Sequence, residues 1–291
     1  MIISVVNHTH GKISDADLHV ALRAINRQIA CDFAPYWHIT AALRLEGGSQ
    51  AKPSKKQLTD MRGDAIMYLW DGSDADDALG YHEQTELGVP YGFVFTDLAK
   101  QLHENWTVTL SHEALELIGD PQVNLLVQGP HPSNPKKVVF HWHEMCDAVQ
   151  AETYKVDGVE VSNFVLPLYF TGGDESGSRN DFLGTKHGGK LLQSFGINPG
   201  GYIGFFNPAT GEHQTVSLPE DKEAARRLKV KSAYAQARRG TRYETPKQTS
   251  IAAPAAATRG AGAAAAPTPA GTAIKVLRSK PLEDGPDPVR R

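Results

Sequence analysis

The chain has 291 residues, of which 40% are hydrophobic and 22% charged, and its net charge at pH 7 is −3. These values are typical of a soluble globular protein with one large or two small domains, and they give no reason to expect nucleic acid or an acidic membrane as the main partner. Two cysteines make no disulfide framework, and neither a signal peptide nor an apolar run of membrane-spanning length is evident, so we expect a cytoplasmic protein.

The first half of the chain predicts an alternation of strands and helices. "MIISVVNH" is typical of a buried strand, and Ser14 and Asp17 then form a capping box at the start of a helix. That helix has apolar residues at helical spacing, namely Leu18, Leu22, Ile25 and Ile29. "YWHITAALRLE", "DAIMYLWD" and "YGFVFTD" follow as three strands, before a helix that carries His112. This order predicts an α/β (α+β) fold with a mixed sheet.

The second half, from about residue 150, is richer in predicted strand. Asp157-Gly158 stands between alternating valines, which is a strong hairpin signal. A second hairpin is expected in "GGYIGFFNPATGEHQTV", turning between Asn207 and Gly211. A basic helix with Pro219 near its first turn closes the folded part, so residues 1–240 are predicted to form a single domain.

The composition changes sharply near residue 245. Residues 245–273 are dominated by Ala, Pro, Gly and Thr, have Ile251 as their one large apolar side chain, and are therefore predicted to be a disordered linker. Residues 274–291 regain apolar side chains among basic ones, at Ile274, Val276, Leu277 and Leu282. A tether that ends in such a peptide is the layout of a docking tag, and a solubilising tail with no partner is the alternative.

The helix "TVTLSHEALELIGDP" contains His112-Glu113-x-x-Glu116, which resembles the His-Glu-x-x-His motif of zinc peptidases. Residues four apart lie on one face of a helix, so His112 and Glu116 can point at one ion. Zinc accepts carboxylate oxygen as well as imidazole nitrogen, so Glu116 is an acceptable ligand. Glu113 is then positioned to take a proton from water at the ion.

A catalytic zinc needs a third ligand, and the segment "FHWHEMCDAVQ" offers the best candidates. Glu144 and Asp147 are three residues apart and are expected to share a helical face. One would bind the metal while the other orients His112 through its second ring nitrogen. His141, His143 and Cys146 are alternatives in the same segment.

The simplest alternative to a metal site is an ordinary solvent-exposed helix face, because glutamates are common in helices and the motif can occur by chance. The rest of this helix is strongly apolar, however, with Ala114, Leu115, Leu117 and Ile118 around the polar stripe. Carboxylates on a mostly buried helix need a counter-charge, which a metal ion, Arg or Lys can supply. A metzincin motif fits less well: Gly119 matches its glycine, but Gln122 stands at the third ligand and Asp120 comes two residues too early.

"LSHEALELIGDP" and "HEMCDAVQ" together resemble a family of mostly uncharacterised bacterial proteins, with plant exordium-like (phosphate-induced) proteins as distant members. The similarity extends to residues 78–95, 157–167, 180–184 and 199–206, which covers most of the folded part and none of the tail. The resemblance implies a metallopeptidase-like protein. The plant relatives are secreted, and that location does not transfer to a chain without a signal peptide. The matching positions are His112, Glu113, Glu116, Asp120, Glu144 and Asp147.

The sequence thus favours a metal-dependent hydrolase, specifically a zinc peptidase acting on a peptide or protein, with Mn or Fe as alternative ions. His82, just before the motif helix in the chain, is a candidate for contacting substrate or a transition-state oxygen, or else a structural histidine. Tyr202 is expected to be a packing residue.

The alternative function is a non-catalytic or degenerate protease-like protein that acts by binding, docked through its tail to a partner, scaffold or protein shell. The basic helix lacks interleaved aromatic residues and is interpreted as a solvated face: Arg226, Arg227, Lys229, Lys231, Arg238 and Arg239.

Overall fold

The structure, a computed structural model, describes residues 1–47, 58, 60–72, 79–85, 87–172, 178–219 and 225. The chain divides into two compact units, Met1–Tyr243 and Glu244–Arg291, and all the described residues belong to the first. The predicted basic helix, linker and docking peptide lie outside the described residues, apart from Pro219 and Ala225, and stay predictions. None of the described helices has both the length and the apolarity that crossing a bilayer demands.

A five-stranded mixed sheet forms the first half, which confirms the predicted fold class. Its strands are β1 (Ile2–His8), β2 (Ala42–Glu46), β3 (Ala65–Trp70), β4 (Gly80–Gln84) and β5 (Pro90–Phe95), in the order β2-β1-β3-β5-β4. All neighbours pair in parallel except β4, which runs antiparallel to β5 at one end of the sheet. Every residue of β3 and β5 is buried, as expected for parallel strands covered on both faces.

The helices of the first half are α1 (Asp15–Arg27), α2 (Ala34–Trp37), α3 (Thr96–Gln101) and α4 (Trp106–Gly119). Ser14 is confirmed as the N-cap of α1, because its Oγ accepts a hydrogen bond from the Asp17 backbone N–H at 3.1 Å and donates to the Asp17 carboxylate at 2.7 Å. A π-helical turn, Gln28–Phe33, joins α1 to α2. The strand predicted from Tyr36 instead begins at Ala42, because Tyr36 and Trp37 belong to α2.

The second half is built from two smaller antiparallel sheets. One contains β6 (Leu126–His131), β7 (Asn134–Trp142), β10 (Tyr202–Asn207) and β11 (Glu212–Ser217), in the order β11-β10-β7-β6. The other is the hairpin β8 (Thr153–Val156) and β9 (Val159–Ser162). Both predicted hairpins are confirmed. Asp157 and Gly158 have φ of 49° and 83°, the left-handed conformation that a tight two-residue hairpin turn requires.

Helix α4 lies at the centre of these elements, in contact with β4, β5 and β9. Asn105 caps its first turn by accepting from the Thr107 backbone N–H at 3.1 Å. Ser111 ties its middle to other elements: it donates to Gln28 Oε1 at 2.9 Å and accepts from the Ser162 N–H at 3.0 Å. The apolar side chains of α4 belong to the main core, so its motif residues are held on a rigid support: Leu110, Ala114, Leu115, Leu117 and Ile118.

Candidate metal centre

The i, i+4 spacing on α4 brings the side chains of His112 and Glu116 together. His112 Nε2 lies 3.3 Å from Glu116 Oε2. The other oxygen of Glu116, Oε1, accepts the backbone N–H of Cys146 at 3.0 Å, so the segment after β7 lies against the helix. This contact fixes the carboxylate so that Oε2 faces the imidazole.

Asp147 completes this group. Its Oδ1 lies 3.2 Å from His112 Nε2, and the Tyr202 hydroxyl lies close enough to its carboxylate for the two groups to shift each other's pKa. One ligand atom each from His112, Glu116 and Asp147 can be chosen so that all lie within 4.8 Å of one another. Of the two candidate third ligands, Asp147 is therefore the one that the fold places beside His112.

Glu144 and Asp147 do not share a helical face, which corrects the local structure expected from their spacing. Glu144 stands in an extended segment directly after β7, and Asp147 begins a 3₁₀ turn, Asp147–Val149. The strand continues to Trp142 because Phe140 and His141 pair with Phe206 and Phe205 of β10. Because the chain bends between the end of β7 and the 3₁₀ turn, the two carboxylates contact different residues: Glu144 lies near His82, and Asp147 lies near His112.

His82, Glu113 and Glu144 form the other side of the site. His82 projects from β4, and its Nδ1 lies 3.2 Å from Glu113 Oε2 and 3.8 Å from Glu116 Oε2. Its Nε2 lies 3.6 Å from Glu144 Oε2. His82, Glu113 and Glu116 make a second group whose ligand atoms lie within 4.8 Å of one another. Six of the residues singled out from the sequence thus converge, and Glu116 is common to both groups: His82, His112, Glu113, Glu116, Glu144 and Asp147.

The buried ionisable groups of the site shift one another's pKa values. For His112, burial alone would lower the pKa, but the adjacent Glu116 charge and the hydrogen bond to Asp147 raise the pKa well above its usual value. Burial opposes ionisation of Glu116, yet the interaction with His112 lowers its pKa to about 2. Burial and the Glu116 charge raise the pKa of Asp147 to about 6, against the opposing effect of its bonds to His112 and Tyr202.

The donor set fits a divalent cation. The site holds four carboxylates and two imidazoles, and the side chains of Glu116 and Asp147 are only 4% and 5% exposed. Within the described part of the chain, the ion pairs of Glu113, Glu116 and Asp147 are all with histidines, and none is with Arg or Lys. Buried carboxylates in this excess need a positive partner, and carboxylate oxygen with imidazole nitrogen suits zinc and harder ions.

The remaining ligand candidates have structural partners. Asp120 accepts the backbone N–H groups of Asn124 and Leu125, at 3.1 and 2.9 Å, and so shapes the turn after α4. His141 donates from Nε2 to the Pro130 carbonyl at 2.8 Å. His143 packs against Trp37 and Phe170, and the Cys146 thiol faces the His112 carbonyl at 3.8 Å. None of these side chains joins either ligand group in the described structure.

Sequence reasoning missed two residues that shape the site. Tyr202 was expected only to pack, but its hydroxyl interacts with the Asp147 carboxylate. At Gly80, a Cβ would stand 2.9 Å from both the Phe93 carbonyl oxygen and Thr109 Cγ2, and 3.0 Å from Glu113 Cγ. The missing side chain therefore lets α4 lie close against β4. A glycine at the start of a strand is the signal for such a close approach.

A small cavity adjoins the carboxylates, with Glu144 and Asp147 in its wall. The rest of its lining is mainly aromatic and apolar: Trp142, Tyr169, Phe170 and Ile203, with His141 and Gly204. Its free space is about that of one water molecule, so it is a place for bound water beside the candidate ligands.

Comparison with known proteins gives no assignment, since no family model, no curated protein and no solved structure matches the chain.

Proposed function

We propose that the protein is a metal-dependent hydrolase, most simply a zinc peptidase, built on the His112-Glu113-x-x-Glu116 helix. The observation that carries the proposal is the convergence of His112 Nε2, Glu116 Oε2 and Asp147 Oδ1 from two separate segments. Three protein ligands are the usual set for a catalytic zinc. The resemblance to a metallopeptidase-like bacterial family points the same way.

The roles of the side chains follow from their positions. His112, Glu116 and Asp147 would hold the ion, with Zn favoured and Mn or Fe as alternatives for so oxygen-rich a set. When bound, the ion acidifies water and polarises a substrate carbonyl. Glu113, beside His112 on the helix, accepts the proton from the attacking water and delivers it to the leaving group. Tyr202 and the Cys146 N–H orient Asp147 and Glu116.

Strand β4 supports a peptide as the substrate. It is the last strand of its sheet in the described part of the chain, and it carries His82 into the site. The outer edge of such a strand offers backbone hydrogen bonds to an extended peptide. His82 is placed to contact the substrate or to orient Glu113.

Replacing Glu113 with Gln tests catalysis directly. The E113Q protein should keep the ion held by His112, Glu116 and Asp147 and lose peptide hydrolysis by about a hundredfold or more, because an amide takes up no proton. The matched control is Glu83→Gln on β4, whose carboxylate bonds to the Tyr91 hydroxyl instead. Digestion of a mixed peptide library, read by mass spectrometry, measures the loss. Equal cleavage by E113Q and wild type would remove Glu113 from the mechanism.

A structural ion in a non-catalytic protein is the second candidate, and the depth of the site favours it. The His112 side chain is 12% exposed and that of His82 only 5%, so access for a substrate is narrow. In that case a chelator would lower the melting temperature, while the metal-loaded protein would cleave no peptide in the library. The protein would then act by binding, through this domain or through its tail.

A further inference from the structure

The second group of side chains, His82, Glu113 and Glu116, is left without an ion by a single-metal centre. His82 Nδ1 lies 3.2 Å from Glu113 Oε2 and 3.8 Å from Glu116 Oε2. Ligand atoms that share one ion at about 2.1 Å lie roughly 3–3.5 Å apart, so these distances are close to those of a ligand set. The same oxygen, Glu116 Oε2, also faces His112.

The burial and orientation of His82 suit a metal ligand. Its side chain is 5% exposed, and its Nε2 is buried without a hydrogen-bond partner among the described residues. That nitrogen is aimed at Glu144, with Oε2 3.6 Å away. A small approach would let Nε2–H donate to Glu144, which is how carboxylates orient metal-binding histidines. The lone pair of Nδ1 would then be directed between Glu113 and Glu116.

Charge gives a second argument. Glu113, Glu116 and Asp147 together carry three negative charges when ionised, and their ion pairs among the described residues are with histidines. One divalent ion offsets only two of them if both histidines are neutral, as metal ligands must be. A second divalent ion balances the rest. Unbalanced charge in so buried a place would be strongly unfavourable.

We propose that the protein binds a second divalent cation between His82 Nδ1, Glu113 Oε2 and Glu116 Oε2, which makes a dinuclear centre bridged by Glu116. This inference rests on the proposed function, since the first ion position is the one held by His112, Glu116 and Asp147. Paired ions in hydrolytic enzymes stand about 3.5–4 Å apart, a spacing that one shared carboxylate can span. Glu144 is the positioning residue for His82.

The second ion is compatible with the proton-accepting role of Glu113. A carboxylate has two oxygens, and Oε2 is the one that faces His82. Binding through Oε2 alone leaves Oε1 to accept a proton from water. The second ion would thus hold Glu113 in position and add positive charge next to a bound substrate.

Metal content distinguishes the two proposals. Full-length protein is stripped with a chelator, reloaded with Zn or Mn, freed of excess ion and analysed by mass spectrometry. Wild type should hold two ions per chain, and His82→Ala should hold one. In the Mn-loaded wild type, paramagnetic resonance should show exchange coupling between neighbouring ions, and His82→Ala should lose that coupling.

Each outcome has a definite meaning. A single ion in both proteins would overturn the second position and leave the first intact, whereas no ion in wild type would overturn both. Two ions in His82→Ala would place the second ion elsewhere and also overturn this proposal. If His82→Ala fails to fold by circular dichroism, Glu144→Gln replaces it, with weakened binding of one ion expected and unchanged binding of both contradicting the proposal. Glu83→Gln, on the same strand, is the control that should keep two ions.

Discussion

In metal-free protein, replacing Asp147 with Asn should increase stability. The pKa of Asp147 is about 6 in the fold against 3.8 ordinarily, because burial and the Glu116 charge disfavour its ionised form. A folded-state pKa above the unfolded one means that stability falls as pH rises from 3.8 through 6, and that the penalty is complete above pH 6. The difference of about two pKa units corresponds to about 3 kcal/mol.

Part of the stability gained by Asp147→Asn is lost, because Asn lacks the carboxylate charge. Asn weakens the hydrogen bonds to His112 and Tyr202, which costs about 1 kcal/mol and leaves a net gain of about 2 kcal/mol. For a domain of this size the melting temperature should rise by roughly 4–8 °C. With zinc at a hundred times its dissociation constant, wild type should instead gain about 2.7 kcal/mol and D147N much less.

The assay is denaturant unfolding at pH 8, with chelator and with zinc, for wild type and D147N. Asp120→Asn is the matched control: it is also a buried aspartate, but it bonds to backbone N–H groups and should lose stability in both conditions. The reasoning fails if D147N is less stable than wild type in chelator, or if both respond equally to zinc.

Three further predictions concern the frame of the site. Gly80→Ala should destabilise the protein by about 1–3 kcal/mol in denaturant unfolding and reduce hydrolysis, because its Cβ would collide with the Phe93 carbonyl and push on Glu113. Stability and hydrolysis equal to those of wild type would show that α4 can move aside at little cost. His141 should titrate near pH 4 by NMR, because burial lowers its pKa to about 4. The free energy of unfolding should therefore fall as the pH drops from 6.5 towards 4, by at most about 3 kcal/mol. An imidazole that titrates near pH 6.5 would contradict this prediction. Asp120→Ala should cost about 1–3 kcal/mol and leave metal content unchanged; loss of an ion would make Asp120 a ligand after all.

Local patterns predicted much of the fold. Alternating valines around Asp157-Gly158 and the capping residue Ser14 act through their immediate neighbours, so both appear in the structure as expected. Strand β4 escaped prediction because its pattern of Gly80, Tyr81 and His82 is short and mixed in polarity. Its place at the end of the sheet depends on pairing with β5, which is a tertiary effect.

The candidate site was predictable in its residues but not in its geometry. Helical spacing places His112 next to Glu116 whatever surrounds them. The positions of Glu144 and Asp147 depend on where β7 ends and the 3₁₀ turn begins, which is set by pairing with β10. The hydroxyl of Tyr202 reaches Asp147 across a long separation in sequence, so no local pattern could assign it a role beyond packing.

The central claim, that these carboxylates and histidines hold metal, is tested most directly by calorimetric titration of zinc into chelator-treated protein, comparing wild type with Glu116→Gln. Glu116 belongs to both ligand groups, and a Gln oxygen can still accept the Cys146 N–H, so the fold should be kept while the ligand charge is lost. Wild type should bind zinc, and E116Q should bind at least about a hundredfold more weakly. Equal binding by a folded E116Q protein, or no binding by wild type, would contradict the account.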